Sequence, residues 1–468
     1  MNEEIKSNIT DIFLYHGLIF LTGLLIIIVL IHMLYNRRTP SSIIAWLLSI
    51  ILIPYISIFL YFIIGSRKRK NRYKKENLVL KNKNTDNNIQ NNIDRILRNY
   101  KIADAQRNEE FKLFLDAVQF YNEFLNCIQN AKQSIYISTF IFEYDKVTKE
   151  IIKALIKKAK EGVEIKILID SIGSINLYLL QYRLRKLRNA GAKIEFFMPI
   201  FEMPFRNYIN LRNHRKIYIF DNEKVLSGGA NLSFEYLGPT YSKERWEDIM
   251  FSIVGPSVEQ FFEIFASDWL YASQEKLTFA QNGKNREIDG DIFLQVVPSG
   301  PDMDKDTLYE VLLSAIYGAK EKIYIITPYF IPNNSLIQAL IIAHHKGVDV
   351  KLITPKEANH TIVNLVRSSY MRELEEAGIK IYLYNGSLLH AKAILFDSHS
   401  VMLGSVNFDN RSLFLNYEVV TFVYSGEIIK EVEIWTQKLI SNSSFGTKNV
   451  SYGKRVFENL MRILAPQL

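Results

Sequence analysis

The chain contains an internal repeat, and this repeat limits its possible folds more than any other feature does. Three segments recur in the same order in both halves of the chain, namely 131–139 with 319–327, 162–169 with 347–354, and 190–195 with 377–382. Each copy alternates short apolar strands with amphipathic helices, which predicts an α/β fold. Two homologous α/β halves facing each other about a pseudo-twofold axis are the natural arrangement. Equivalent loops of both halves would then meet at one cleft.

Both copies end in the motif H-x-K-x4-D, which is followed at equal spacing by glycine and asparagine. The members are His214, Lys216, Asp221, Gly228 and Asn231 in the first half, and His390, Lys392, Asp397, Gly404 and Asn407 in the second. With ordinary residue abundances, this spacing follows a given histidine by chance roughly once in 300. Two copies at matching places in a repeat therefore indicate function rather than accident.

The spacing also predicts geometry. Histidine and lysine two positions apart on a strand leave the same face of the sheet. Gly228 and Gly404 are expected where a turn brings the backbone close to a ligand. The amides of Asn231 and Asn407 can then donate to an oxyanion.

Two histidines, two lysines and two asparagines at one cleft suit a phosphodiester. One histidine attacks phosphorus to form a phosphohistidine, and the other protonates the leaving alcohol and later activates the incoming one. Asp248 and Glu418 follow the two asparagines at corresponding places, and we predict that they orient the imidazoles. Asp221 and Asp397 complete the motif, in a role that is either chemical or structural. We expect no metal or other cofactor, because the lysines supply the positive charge.

The N-terminus predicts a hairpin of two membrane spans. Residues 12–34 and 43–64 are apolar runs, and a hydrocarbon core needs roughly 20 helical residues. A basic cluster at 67–75 follows the second run and favours a cytoplasmic location for the rest of the chain. Arg37 and Arg38 in the short loop favour the opposite orientation.

Composition and charge set the remaining expectations. Lysine and arginine number 57 against 49 acidic residues, a formal charge of +8, which suggests an anionic partner such as lipid headgroups or nucleic acid. We divide the chain into a transmembrane hairpin (1–65), a basic, Asn-rich linker (66–107), a first half (108–285), and a second half with a C-terminal amphipathic helix (286–468). That helix is expected to pack on the domain, with membrane contact as the alternative.

These motifs resemble those of the phospholipase D superfamily and, within it, the bacterial cardiolipin synthases. Further similar segments are 235–238, 299–302, 327–332 and 407–412. The resemblance implies two phospholipase D-like halves and a reaction in which two phosphatidylglycerol molecules give cardiolipin and glycerol, in the plasma membrane. It also implies that His214 is the nucleophile and His390 the acid and base. One departure is Gly229, where the second motif has Ser405, a further candidate for substrate binding.

The first half has a longer segment before its motif than the second half. That segment, 197–205, is hydrophobic, and we predict either that it faces the bilayer and admits acyl chains or that it packs in the core.

Three other functions stay open. A phospholipase D-type enzyme could hydrolyse its lipid or use a different donor or alcohol, because water can attack the same intermediate. A membrane-tethered nuclease is compatible with the charge, although two spans and an apolar loop favour lipid over nucleic acid. A scaffold that has lost catalysis is the third, and two intact motifs argue against it.

Overall fold

The computed structural model describes residues 2–35, 40–64, 75, 77–80, 92–200, 210–280 and 290–467. The chain divides into an N-terminal unit, residues 1–67 with 205–210, and a larger unit, residues 68–204 and 211–468. Each unit has its own buried apolar cluster.

The described part of the N-terminal unit consists of apolar helices: α1 (Asn2–Tyr35), α2 (Pro40–Leu52) and α3 (Pro54–Ile64). Their buried contacts come from all three, with Val29 and Met33 of α1 against Ile50 of α2 and Ile58 and Tyr61 of α3. Among the described residues, Leu14–Tyr35 is the one helical stretch long and apolar enough to cross a membrane. It coincides with the first predicted span.

The second predicted span is two short helices rather than one continuous helix. α2 has 13 residues and α3 has 11, and the chain bends between them at Ile53. Pro54 causes the break, because it has no N–H to donate to the preceding turn and its ring clashes with that turn. Ser57 Oγ donates to the Ser49 carbonyl at 2.8 Å across the bend. The predicted hairpin is thus present only in part.

The first half is built on one sheet flanked by helices. Its strands are β2 (Glu110–Phe114), β3 (Ser134–Thr139), β4 (Glu164–Asp170), β5 (Lys193–Phe197), β6 (Ile217–Phe220), β7 (Lys224–Gly228) and β8 (Met250–Val254). Its helices are α5 (Ala117–Asn130), α6 (Lys146–Lys160), α7 (Ile175–Leu179), a 3-10 turn (Gln181–Leu184), α8 (Arg185–Asn189) and α9 (Ser257–Ser273). Within the described residues the strand order is β2-β8-β7-β6-β3-β4-β5. β3, β4 and β5 are parallel, and the other pairings are antiparallel.

The second half repeats this plan with more strands. They are β9 (Ile292–Ser299), β10 (Lys322–Ile326), β11 (Phe330–Ile331), β12 (Asp349–Pro355), β13 (Lys380–Tyr384), β14 (Ala393–Phe396), β15 (Ser400–Gly404), β16 (Phe408–Asp409), β17 (Glu418–Val423) and β18 (Ser443–Phe445). Its helices are α10 (Thr307–Gly318), α11 (Asn334–His345), α12 (Thr361–Glu376), α13 (Asn410–Phe414), α14 (Gly426–Ser441), α15 (Tyr452–Met461) and a 3-10 turn (Arg462–Gln467). The main sheet runs β9-β17-β15-β14-β10-β12-β13-β18, and β11 pairs with β16.

The sequence repeat is visible in the register of the parallel strands. Ser134 of β3 lies opposite Glu164 of β4, and Lys322 of β10 lies opposite Asp349 of β12. A side-chain contact is repeated as well. In each half, a tyrosine hydroxyl on β3 or β10 donates to the acidic residue that begins the neighbouring strand, Glu164 of β4 or Asp349 of β12. The oxygen–oxygen distances are 2.6 Å for Tyr136 with Glu164 and 2.9 Å for Tyr324 with Asp349. The predicted α/β fold in two homologous halves is confirmed.

Part of the segment predicted as linker is structured. Residues 92–99 form α4 (Asn92–Asn99), whose Ile93 and Leu97 are buried in the core of the second half. β1 (Gln106–Asn108) then adds an antiparallel edge strand to β9. Apolar side chains one helical turn apart explain why this part packs instead of staying solvated. The Asn-rich residues 81–91 lie outside the described residues, as do residues 67–74 of the basic cluster.

Candidate active site

Both motif histidines lie just before a buried central strand. His214 and Lys216 precede β6, and His390 and Lys392 precede β14. All four side chains are buried. Lys216 Nζ donates to the His214 carbonyl at 2.8 Å, and Lys392 Nζ lies 2.8 Å and 3.0 Å from the two ring nitrogens of His390. The lysine and histidine of the second motif therefore meet on one face, as the two-residue spacing predicts.

Each histidine is held by a carboxylate of the other half. His214 Nδ1 lies 3.0 Å from Glu418, and His390 Nδ1 lies 2.7 Å from Asp248. The predicted orienting carboxylates therefore do contact the imidazoles. A carboxylate on Nδ1 leaves Nε2 of His214 for chemistry, whereas Nε2 of His390 also contacts Lys392 Nζ at 3.0 Å. The exchange between halves brings the two motifs close enough for Lys392 to lower the pKa of His214.

Backbone hydrogen bonds secure this exchange. His214 N donates to the Tyr417 carbonyl at 2.8 Å, and His390 N donates to the Glu247 carbonyl at 2.7 Å. In each case the accepting residue directly precedes the carboxylate that holds the same histidine. The position of each ring is thus set by main chain and side chain of the opposite half.

Burial dominates the electrostatics of the site. It lowers the pKa of His214, against the opposing effect of Glu418. Burial, together with the charge of Lys392, lowers the pKa of His390 to about 3. Burial also lowers the pKa of Lys392 to about 8 and that of Lys216 well below its usual value. Lys392 acts on His214 and Lys216 acts on His390, so the charges of the two halves are coupled.

The two carboxylates stay ionised for a shared reason. Burial would raise the pKa of Asp248, but the charges of His390 and Lys392 outweigh it and the pKa is lowered. Burial likewise opposes ionisation of Glu418, and His214 and Lys216 again lower its pKa. Each carboxylate is therefore stabilised as an anion by the histidine and lysine of the opposite half.

The motif aspartates lie away from the motif histidines, which favours the structural one of their two predicted roles. Asp221 accepts backbone N–H groups of residues 132–134, and Asp397 those of residues 320–322, at 2.7–3.2 Å. Each aspartate directly follows the four-residue strand that begins after the motif lysine, β6 or β14. A strand of four residues is about 13 Å long, so the aspartate lies at least that far from the lysine. Each caps the start of the neighbouring strand, which is a structural role.

The motif glycines are required by the close approach of a neighbouring strand. Gly228 has φ 139° and Gly404 has φ 156°. A Cβ at Gly228 would lie 2.5 Å from the Ile249 carbonyl, and one at Gly404 would lie 2.4 Å from the Val419 carbonyl. Any larger residue would push β7 from β8, or β15 from β17.

The asparagines and Ser405 differ in their contacts. Asn231 Oδ1 accepts the Ile141 N–H at 3.1 Å, which ties it to the first half. Asn407 is buried, and its Oδ1 has no hydrogen-bond partner among the described residues. Ser405 Oγ donates to Glu418, so this hydroxyl supports the carboxylate that holds His214. This contact makes Ser405 a positioning group for Glu418.

Several groups around the site were not predicted from the sequence. Phe140 packs edge-on against His214 with ring centroids 4.9 Å apart, and Tyr236 does the same to His390 at 5.0 Å. Asn416 Nδ2 lies 3.4 Å from Glu418. In the predicted apolar segment, Phe197 is buried at the end of β5, and residues 201–205 lie outside the described residues. No spacing signal in the sequence marks these contacts.

A buried ion cluster lies beside the first motif and was also missed. Arg215, between the motif histidine and lysine, pairs with Asp268 at 2.8 Å and with Asp302 at 3.0 Å. Lys75 pairs with the same two aspartates. The sequence did offer one signal for this cluster. Arg215 is a charged residue inside a predicted strand, and a buried charged residue needs partners of opposite charge.

Comparison with known proteins agrees with this geometry. The family model described as "Cardiolipin synthase, PLD-like domain" matches residues 124–269 and 312–440, more than half of the chain. A second model, "Phospholipase_D-nuclease N-terminal", matches residues 24–66. The chain belongs to the phospholipase D-like cardiolipin synthase family. The described helix that could span a membrane, together with this membership, indicates that the protein associates with membranes.

Similar members of that family align over nearly their whole length. A cardiolipin synthase of Clostridium perfringens is 32% identical, with 92% of this chain and 95% of the relative covered. Cardiolipin synthase 1 of Staphylococcus epidermidis is 32% identical, with 100% of both covered. Among solved structures, phosphatidylserine synthase from Haemophilus influenzae matches 81% of this chain and 100% of its own, at 15% identity and a TM-score of 0.61. That last likeness supports the fold alone.

Proposed function

We propose that this protein is a cardiolipin synthase, which transfers a phosphatidyl group from one phosphatidylglycerol to another and releases glycerol. The observation that carries the proposal is the exchange of carboxylates, in which each motif histidine is held by the opposite half. Family membership over most of the chain supports the lipid substrate.

In the first step His214 Nε2 attacks the phosphorus of one phosphatidylglycerol. The N–P bond forms as the P–O bond to the headgroup glycerol breaks, and His390 gives its Nε2 proton to the departing glycerol oxygen. Lys216 and Lys392 stabilise the charge on the non-bridging oxygens. The anionic phosphodiester also raises the pKa of His390, against the burial that lowers it.

In the second step a headgroup hydroxyl of another phosphatidylglycerol takes the place of glycerol. His390 accepts its proton, the new P–O bond forms and the N–P bond to His214 breaks. One phosphodiester is exchanged for another, so the reaction needs no external energy. Water in place of the second lipid gives phosphatidic acid, which makes hydrolysis the competing outcome.

Mass spectrometry of lipids tests this function. Purified full-length protein in detergent is incubated with phosphatidylglycerol beside His214→Ala and His390→Ala, with His345→Ala on the outer helix α11 as a matched control. Cardiolipin and glycerol from wild type and from the control alone support the proposal. Phosphatidic acid without cardiolipin would make the protein a hydrolase, and cleavage of an oligonucleotide without lipid turnover would make it a nuclease.

The covalent step is tested separately. Acid-quenched turnover followed by peptide mass spectrometry is expected to find a phosphatidyl adduct on the peptide that contains His214. Its absence in His214→Ala and presence in the His345→Ala control would assign the nucleophile. An adduct on His390 instead would reverse the two roles.

We infer further that the protein is a multi-pass protein of the plasma membrane with its larger unit in the cytoplasm. The basic residues after the second apolar segment support this orientation. Reporter fusions at the C-terminus test it, because a reporter active only outside the cytoplasm is expected to stay silent.

A further inference from the structure

The C-terminal helix α15 presents its apolar face outward. The exposed apolar stripe consists of Tyr452, Val456, Phe457, Leu460 and, in the turn that follows, Ile463. The last four side chains are 48–57% exposed, and their spacing of three and four residues places them along one side of the helix. The side that packs on the protein carries Glu458, which is 2% exposed, and Met461, which contacts the core of the second half. A helix that faces water has the opposite arrangement, so this stripe requires an apolar partner.

The helix is held firmly despite its reversed face. Glu458 forms an ion pair with Arg372 of α12 at 2.9 Å. After α15, the Ala465 carbonyl accepts the side-chain N–H of Asn410 at 3.2 Å. Asn410 comes three residues after Asn407 of the second motif. Any surface that binds the stripe is therefore linked by short contacts to the catalytic cleft.

The charges around the stripe indicate which partner covers it. Lys448 and Lys454 are exposed beside it. The acidic side chains nearby on α12, Glu373 and Glu376, are ion-paired with Arg462 and Arg455. Glu375 of α12 accepts hydrogen bonds from the backbone N–H and the hydroxyl of Thr447. The two exposed lysines outnumber this carboxylate, so the charge beside the stripe is net positive. Apolar side chains flanked by lysines match the acyl and headgroup layers of an anionic bilayer.

We propose that α15 is a second membrane anchor, which lies in the interface of a bilayer that contains anionic phospholipid. It keeps the cleft at the level of the lipid headgroups. A symmetric contact with a second copy is disfavoured, because it would set the same lysines against each other. The benefit of docking for catalysis rests on the proposed function, but the docking of α15 itself does not require turnover.

Lipid-quenching fluorescence tests the proposal on full-length protein in vesicles of phosphatidylglycerol and phosphatidylcholine. Leu460→Cys and Phe457→Cys are labelled with an environment-sensitive dye, and lipids with a spin label near the headgroup serve as quenchers. The wild type gives the background, because its single cysteine, Cys127, is buried. Ile434→Cys on α14 is the matched control, since Ile434 is 51% exposed but directly follows Glu433 and comes three residues after Glu431.

We expect the dyes at positions 457 and 460 to be quenched and the dye at 434 to remain as bright as without spin-labelled lipid. Lys448→Ser with Lys454→Ser lowers the ratio of docked to free helix about 30-fold in anionic vesicles. The inactive His214→Ala background keeps the quenching, which separates this test from that of the proposed function. Equal brightness at 457, 460 and 434, or quenching that disappears as the protein is diluted in lipid, would overturn the proposal.

Discussion

At the scale of single residues, the two halves hold their histidines with different pairs of side chains. Ser405 donates to Glu418 in the second half, whereas Gly229 and Asp248 occupy the equivalent places in the first. A Cβ at position 229 would lie 2.1 Å from Asp248 Oδ1. The shorter carboxylate therefore reaches His390 because position 229 has no side chain. The contact between Asp248 and His390 is possible only because Gly229 lacks the side chain that Ser405 has at the equivalent position.

This pairing predicts the effect of Gly229→Ser. The new side chain displaces Asp248 from His390, and we expect the rate of cardiolipin formation to fall about 100-fold, the range of a lost acid–base contribution. Adding Asp248→Glu copies the pair of the second half and is expected to recover part of that loss. Ser405→Gly is the comparison and costs about tenfold or less, because Glu418 keeps its contact with His214 while the hydrogen bonds of the Ser405 hydroxyl to Glu418 and to the Val419 backbone are lost. A wild-type rate in Gly229→Ser would refute the pairing.

The buried histidines also predict a pH dependence of stability. The pKa of His390 is lowered to about 3 in the folded protein, below the usual value of 6.5, so the unfolded chain binds more protons between these values. Stability is then fully present above pH 6.5 and is lost as the pH falls toward 3. We expect the melting temperature in detergent to fall from pH 7 to pH 5, and to fall less in His390→Gln. If the melting temperatures of the wild type and of His390→Gln fall equally with pH, the His390 ring does not titrate as described.

At the scale of elements, the motif aspartates join strands rather than acting on substrate. Asp397 bonds three successive amides at the start of β10 and has φ 51°, a left-handed conformation that aspartate and asparagine tolerate better than most residues. Burial opposes its ionisation, but these amides outweigh it and lower its pKa. Asp221 makes the same contacts at β3.

Asp397→Ala is therefore expected to cost stability rather than chemistry. Loss of the acceptor should lower the free energy of unfolding by about 2–3 kcal/mol, while kcat well below the melting temperature stays within a factor of about three. Asp397→Asn should fall between alanine and wild type, because one acceptor oxygen remains. Asp291→Ala, at an exposed aspartate, serves as the control with a change below about 0.5 kcal/mol. A collapse of kcat in a fully folded Asp397→Asn would favour a chemical role.

At the scale of the whole molecule, a buried ion cluster joins the two halves. Arg215 and Asp268 belong to the first half and Asp302 to the second, while Lys75 comes from the segment after the apolar helices. Burial opposes ionisation of Asp302, but Arg215 and Lys75 outweigh it and lower its pKa. The cluster is neutral overall, with two positive and two negative side chains.

Removing one member leaves a buried charge without compensation. Arg215→Ala is expected to destabilise the protein by about 3–5 kcal/mol, seen as a lower melting temperature or as insoluble protein. Arg215→Met with Asp302→Asn removes one charge of each sign and should recover much of the loss. Arg107→Ala, at an exposed ion pair with Asp291, is the control and should cost less than about 1 kcal/mol. Equal melting temperatures for Arg215→Ala and this control would show that the cluster does not hold the halves together.

The sequence by itself determined the α/β class, the two halves, the motif histidines and lysines, and both orienting carboxylates. The class, the halves and the motif residues follow from local periodicity or from spacing that the repeat copies, whereas Asp248 and Glu418 come 17 and 11 positions after the motif asparagines. Only the tertiary structure decided that each carboxylate serves the opposite half, because those partners are 204 and 142 positions apart. It likewise decided that Asp221 and Asp397 cap strands, and that Arg215 meets Asp268 and Asp302. Such contacts depend on how distant segments pack, and no spacing along the chain records that packing.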